Sequence, residues 1–265
     1  MSERLELNTI EAVLFDIDGV LQRGSSAQPA ADELLRLLAL RDVKIACITN
    51  NSMHTSTQIS RQLQRLGVPV PAKNIVTSAD VTRSYLDSVA HPGAHLLIVG
   101  MGGLRRALLN DGRYREDHEA PDFVVVGLDQ RFNYRTGSQA VRAITNGARL
   151  IATNDDRLRP GDSGVEPEAG AILNFILAAT GAEAVVTGKP APEMFNHAMR
   201  VLGAEPNKTL VVGDNIETDI AGAHSLGLRS VLVKNGVPTA VPIRGVPASP
   251  TMTVPDLQGL LRMWS

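Results

Sequence analysis

Ala12-Val13-Leu14-Phe15-Asp16-Ile17-Asp18-Gly19 opens as a short apolar run and closes on two acids and a glycine. The run is too short for a buried helix and has no alternation, so it reads as a strand covered on both faces, as in a parallel sheet. Asp16 follows the strand directly, which aims its carboxylate into whatever crevice lies there. Asp18, two residues on, emerges on the same side, and Gly19 lets the chain turn sharply beyond it.

Working outward, three further segments repeat this design. Val43–Ile48 is apolar and runs into Thr49-Asn50-Asn51-Ser52. Thr209–Val212 runs into Gly213-Asp214-Asn215-Ile216-Glu217-Thr218-Asp219-Ile220, and Gly188-Lys189-Pro190 stands between them in the chain. Helical spacing predicts helices over 30–40, 57–66 (closed by Gly67) and 219–226 (closed by Gly227), and a further strand over Ser230–Val233. Strands alternating with helices predict a doubly wound α/β domain, whose ligands bind at the carboxyl ends of the strands. Between Thr49 and Lys189 lies far more chain than the ~30 residues of a βαβ step, leaving roughly a hundred for an inserted domain. Apolar runs at His95–Val99, Phe123–Val126 and Leu150–Thr153, with helical patterns over 104–109 and 138–146, predict that the insert is itself α/β. The expected division is 1–78 and 187–265 for the core and 79–186 for the insert.

The clustered polar residues describe a site for a phosphate and a divalent metal. A strand-end carboxylate such as Asp16 can attack phosphorus. Asp18 can protonate the leaving oxygen and later deprotonate the attacking water. Thr49 offers a hydroxyl, the amides of 50–52 lie near a helix N-terminus that favours phosphate, and Lys189 supplies a compact positive charge. Asp214 is a hard oxygen ligand of the kind Mg²⁺ takes. Asp16, Asp214, Asp219 and a phosphate dianion far outweigh one lysine, so a dication is needed to keep the carboxylates ionised and the substrate bound.

Asp-x-Asp-Gly-Val, Thr-Asn-Asn-Ser, Gly-Lys-Pro and Gly-Asp-Asn-x-x-Thr-Asp-Ile, in this order, resemble the four motifs of the haloacid-dehalogenase superfamily, most closely its NagD-like, p-nitrophenyl-phosphatase branch. The resemblance runs from about Glu11 to Val237. It implies a Rossmann-like core with an inserted type-2 cap, and Mg²⁺-dependent hydrolysis of a small phosphomonoester through an aspartyl phosphate. Asp16 is then the nucleophile and Asp18 the acid/base. Mg²⁺ sits on the Asp16 carboxylate, the Asp18 main-chain carbonyl and Asp214. Thr49, Asn50, Asn51 and Lys189 hold phosphate, while Asp219 and Asn215 support metal and lysine from behind. The loop matching Thr153-Asn154-Asp155-Asp156, with Arg159 after it, contributes to substrate choice in the family. Glu166-Pro167-Glu168-Ala169-Gly170 departs from the Pro- and Gly-rich form expected there. The resemblance leaves sugar, glycolate, glycerol, pyridoxal and nucleoside phosphates open, and allows a homodimer. Two alternatives keep the same residues: a phosphotransferase or mutase, and a catalytically silent Mg²⁺/phosphate-binding regulator.

The bulk composition excludes other classes. Twenty-six basic against 28 acidic residues give a net charge of −2, no footprint for nucleic acid or an anionic membrane. Met1–Glu6 lacks a signal-peptide pattern and no apolar run reaches membrane-span length, so a cytoplasmic setting is expected. The single cysteine, Cys47, lies in an apolar run and reads as a buried structural thiol. Gly100-Met101-Gly102-Gly103 falls short of a dinucleotide fingerprint, whose third glycine would coincide with Arg105, and reads as a tight strand-to-helix turn. None of the six histidines has metal-ligand spacing. Five prolines in Pro238–Pro255 predict a mostly irregular stretch before a last helix over 257–264.

Overall fold

The computed structural model describes residues 7–161, 164–234 and 248–264, so Met1–Glu6 and the prolines at 238, 242 and 247 lie outside the described residues. The chain divides into two compact units. One comprises Met1–Thr49, Ser56–Val76 and Lys189–Ser265; the other comprises Asn50–Thr55 and Thr77–Gly188.

The first unit is built on a six-stranded sheet in the order Met252–Val254, Arg229–Val233, Thr209–Gly213, Ala12–Asp16, Lys44–Thr49, Ile75–Thr77. Ala12–Asp16 is its centre, buried at all five residues, and pairs in parallel with Thr209–Gly213 on one side and Lys44–Thr49 on the other. The order reverses at this strand, which makes its carboxyl end the crevice where an open α/β sheet binds ligands. Its side chains alternate between faces. Val13 and Phe15 join Leu34 and Leu38 of the helix Ala31–Leu40 and Leu260 and Trp264 of the helix Leu257–Trp264 in one apolar cluster. Cys47 is fully buried in the same cluster, and burial pushes its thiol far up, which leaves it a small apolar side chain rather than a nucleophile. Met252–Val254 forms an edge strand beside Arg229–Val233, inside the proline-rich stretch; Pro250 and Pro255 flank it without entering it.

The second unit holds a five-stranded sheet in the order Ala184–Val186, Arg149–Ala152, Phe123–Val126, His95–Val99, Arg115–Glu116. Alternate residues again pack on opposite helix pairs. Leu97, Val99, Val124 and Val126 cluster with residues of the helices Tyr134–Thr145 and Ala169–Thr180. Leu96, Ile98, Phe123 and Val125 cluster with residues of Ser78–Val89 and Gly102–Leu109. The helix expected from residue 138 starts at Tyr134 because the Asn133 side chain caps it, accepting from Thr136 N. Within the glycine run at 100–103, Gly103 has a packing cause: its N donates to Met53 O, and a Cβ there would lie 2.6 Å from the Met53 and His54 backbone.

One close approach fixes the elements that follow Lys189 and Asp219. The helix Pro192–Leu202 carries Phe195, fully buried, and its ring lies against Gly222 of the helix Ala221–Ser225, where a Cβ would meet it at 2.2 Å. Gly222→Ala should therefore cost about 1–3 kcal/mol through overpacking, although alanine favours a helix by up to about 1 kcal/mol. Chemical denaturation measures this; equal or greater stability in the variant would contradict the packing described.

Candidate active site

Lys189 is the centre of the polar cluster in the first unit. It is only 4% exposed, and its Nζ donates to Asp16 Oδ1 at 2.5 Å and to Asp219 Oδ1 at 2.7 Å. Asp16 ends the central strand and Lys189 follows the crossing from the second unit. Asp219 lies in a π-helical turn, Ile216–Ile220, rather than at the start of an α-helix. Asn215 caps that turn by accepting from Glu217 N, and Asp219 Oδ2 accepts from Asn215 N at 3.2 Å. Asp219 is thus held on both oxygens, which suits a positioning role more than plain helix capping.

Asp16, Asp214 and Asp219 each offer an oxygen within 4.8 Å of the others, a set able to hold a metal ion. Two glycines make the crowding possible. Gly19 adopts φ +99°, and a Cβ there would fall 1.9 Å from Asp214 Oδ2; at Gly213 it would fall 2.2 Å from Asp219 Cβ. Asp18 is exposed, and its Oδ1 accepts from Gln22 Nε2 at 2.9 Å. Gln22 is buried and in turn accepts from Gln62 Nε2 at 3.2 Å. Sequence reasoning missed Gln22, because a glutamine four residues past an acid carries no signal until the turn is seen. Thr49 ends the adjacent strand, one residue past Ile48, the partner of Asp16 in the sheet, and is 3% exposed.

The electrostatics follow from burial. The Asp16 carboxyl is held well above the usual range, first by burial, with Lys189 opposing and Asp219, Asp214 and Asp18 adding to the rise. Asp214 is pushed up to about 7 by burial and by Asp219, again against Lys189. Burial works against the Lys189 charge, yet Asp16 and Asp219 more than restore it, and its ammonium is held well above its ordinary range. One buried cation among three crowded carboxylates leaves excess negative charge, and every donor is a hard oxygen. The residues present fit Mg²⁺.

A haloacid dehalogenase-like hydrolase model matches residues 13–113, and a second model of HAD-like hydrolases matches 186–260. The chain is 36% identical to a dihydroxyacetone phosphatase of Corynebacterium glutamicum over 251 residues, 95% of this chain and 90% of that protein. The chain is a NagD-like phosphatase of the haloacid-dehalogenase superfamily. NagD from Escherichia coli K-12 superposes with a TM-score of 0.84 at 32% identity, covering 94% of this chain and 97% of that one. A glycerol phosphate phosphatase from Mycobacterium tuberculosis, solved in complex with magnesium, superposes with a TM-score of 0.85 at 30% identity, covering 96% of this chain and 77% of that one. As a member of this family the chain is a phosphoric monoester hydrolase. No helix among the described residues is long and apolar enough to cross a membrane.

The remaining residues singled out in the sequence belong to the second unit of this phosphatase. Asn50 Nδ2 donates to Asp156 Oδ2 at 2.8 Å, and Asn51 Oδ1 accepts from Met53 N and His54 N, closing its own turn. Arg159 lies in the hairpin strand Leu158–Gly161 and pairs in register with Glu166 of Gly164–Pro167. Its Nε and Nη2 both donate to Glu166 Oε2, the latter at 2.7 Å, and Glu168 stands 3.9 Å away. Two carboxylates of its own unit therefore already face the guanidinium.

Burial lifts the Glu168 carboxyl to about 7; a hydrogen bond from Ala169 N pulls it down, Asp156 raises it, and Arg159 and Asn154 lower it. Between the usual carboxylate value and about 7 the folded state binds a proton that the unfolded state has released. Stability therefore falls as pH rises through that window and levels off above it, by about 3 kcal/mol at most. Glu168→Gln removes the effect. Its stability curve from pH 4.5 to 8 should lose that fall and lie above the parent's beyond pH 7; parallel curves would contradict it.

Proposed function

We propose that this phosphatase hydrolyses a small polyol or sugar phosphate through a phosphorylated Asp16, with Mg²⁺ bound among the acids. The observation that carries the reading is the buried Asp16 carboxylate, paired with Lys189 and set within 4.8 Å of Asp214 and Asp219. The leaving-group class follows the relatives, whose names give dihydroxyacetone and glycerol phosphate phosphatases.

The ammonium of Lys189 favours the ionised, nucleophilic form of Asp16. An Asp16 oxygen attacks phosphorus as the bond to the ester oxygen breaks, and Asp18 passes its proton to that oxygen. Asp18 then takes a proton from water, whose oxygen attacks phosphorus and restores the Asp16 carboxylate. Gln22 orients Asp18 for both transfers, and Asp219 keeps Lys189 in place. Asp16, the Asp18 main-chain carbonyl and Asp214 would hold Mg²⁺, which neutralises charge on phosphate when bound. Thr49, Lys189 and the 50–51 turn would receive the phosphate oxygens. The second unit serves as the inserted cap, and Arg159 in its hairpin selects the leaving group through N–H groups of its fork beyond those that donate to Glu166.

Excess chelator should abolish phosphate release and added Mg²⁺ restore it, while Asp16→Asn should be inactive yet folded. Release at an undiminished rate in chelator would overturn the reading. Asp18→Asn should slow turnover by ~10²–10⁴-fold for alkyl phosphates and by less for p-nitrophenyl phosphate, whose leaving group needs little protonation. An equal loss for both would make Asp18 structural.

Arg159→Ala tests the selection. It should lower kcat/KM for glycerol phosphate or dihydroxyacetone phosphate by about 1.5–3 kcal/mol, the worth of a charge-assisted hydrogen bond, and leave p-nitrophenyl phosphate nearly unchanged. If both substrates fell together, Arg159 would serve only its pair with Glu166.

A further inference from the structure

The segment Asn50–Thr55 follows Thr49 directly but belongs to the second unit. Its attachment there is specific. Asn50 O accepts from Ser78 Oγ at 2.8 Å and from Asn154 Nδ2 at 2.9 Å, and both donors are fully buried. Met53 O accepts from Gly103 N at 2.8 Å. The Asn50 side chain is engaged by Asp156 and the Asn51 side chain by its own turn. Both asparagine side chains thus act as braces, and what the turn presents is main chain.

Two hydrogen bonds on one carbonyl fix more than that oxygen. In a planar trans peptide the carbonyl and the following N–H point to opposite sides. Holding Asn50 O therefore fixes the plane of the Asn50–Asn51 peptide and the direction of its N–H. Ser78 is itself anchored, since Thr82 Oγ1 donates to Ser78 O at 2.7 Å and lies 2.8 Å from Thr187 Oγ1. Asn154 is anchored as well, since its Oδ1 accepts from Asp156 N at 3.1 Å. Such a network is costly to assemble in an apolar interior unless every member is satisfied, and it adds little stability that apolar packing could not give. Its distinctive product is geometric.

We propose that Ser78 and Asn154 are positioning residues for phosphate, holding the Asn50–Asn51 peptide in the orientation in which the turn receives a phosphate oxygen. The proposal rests on the reading of 50–51 as part of the phosphate site. It differs from assigning Asn50 and Asn51 as side-chain ligands: the effective residues stand about 28 and 104 positions further along the chain.

The test uses the whole protein with Mg²⁺ and inorganic phosphate as the probe, its affinity read by calorimetry, alongside phosphate release from glycerol phosphate. Ser78→Ala and Asn154→Ala, neither of which adds charge, should each weaken phosphate binding about 5- to 10-fold, the worth of one hydrogen bond, and the double variant more. Ser78→Thr, which keeps the hydroxyl, should restore most of the affinity. Gly137→Ala is the control: its Cβ would meet the Phe175 ring at 2.5 Å, so it should lower the melting temperature and leave phosphate affinity alone. Phosphate affinity unchanged in the double variant, or reduced as much by Gly137→Ala, would overturn the proposal. A parent that binds phosphate yet releases none from any ester would end the hydrolase mechanism, and the variants' affinities would still decide the positioning role. A parent that binds no phosphate would end both.

Discussion

A buried ammonium that must be neutralised where it stands governs this structure. Lys189 cannot reach water, so Asp16 and Asp219 have to meet it, and burying three charges together costs several kcal/mol per ion before attraction offsets it. A protein retains such a cluster for what it does to a ligand, since apolar side chains would fill the space more cheaply. Removing the lysine would strand two carboxylates; removing either acid would leave the lysine half-compensated. The supporting features follow from that constraint. Gly19 and Gly213 lack the Cβ that would collide with Asp214 and Asp219, and the π-helical turn lets Asp219 reach both Lys189 and Asn215 N.

The sheet explains why the acids converge. Ala12–Asp16 is central, and its neighbours Thr209–Gly213 and Lys44–Thr49 run parallel to it, so the segments after all three strands leave from the same edge. Chemistry placed on the first residues past each strand then meets without long loops. The packing of Phe195 on Gly222 holds together the helices that follow Lys189 and the Asp219 turn.

Much of this was legible in the sequence because it is local. Asp16, Asp18 and Asp214 stand just past apolar runs that become neighbouring strands of one sheet, so its topology brings them together; Lys189 instead follows Ala184–Val186 of the other sheet, and Asp219 lies in the π-helical turn beyond its strand. The strict alternation that seats Val13 and Phe15 on one helix layer is likewise a property of any strand with period two. What the sequence did not disclose depends on partners distant in the chain. Nothing near Arg159 shows that Glu166 will face it, since that pairing is set by the register of a hairpin. The attachment of 50–55 to the second unit rests on Ser78, Gly103 and Asn154; Ser78 has no motif around it, and the stretches that hold Gly103 and Asn154 carry no sign of this contact. Gly103 reads as a turn residue in the sequence; the approach of the Met53 backbone is a second reason for it that only the structure shows.

In the proposed mechanism the carboxylate held by Lys189 becomes covalently phosphorylated. The direct measurement is to quench the enzyme in acid during steady-state turnover of a ³²P-labelled ester, digest it at low pH and locate the label by mass spectrometry. Nucleophilic attack by Asp16 predicts one acid-stable, base-labile acyl phosphate on the peptide containing Asp16, absent from Asp16→Asn. Label on another residue, or turnover with no labelled protein under conditions where Asp18→Asn also accumulates none, would contradict it.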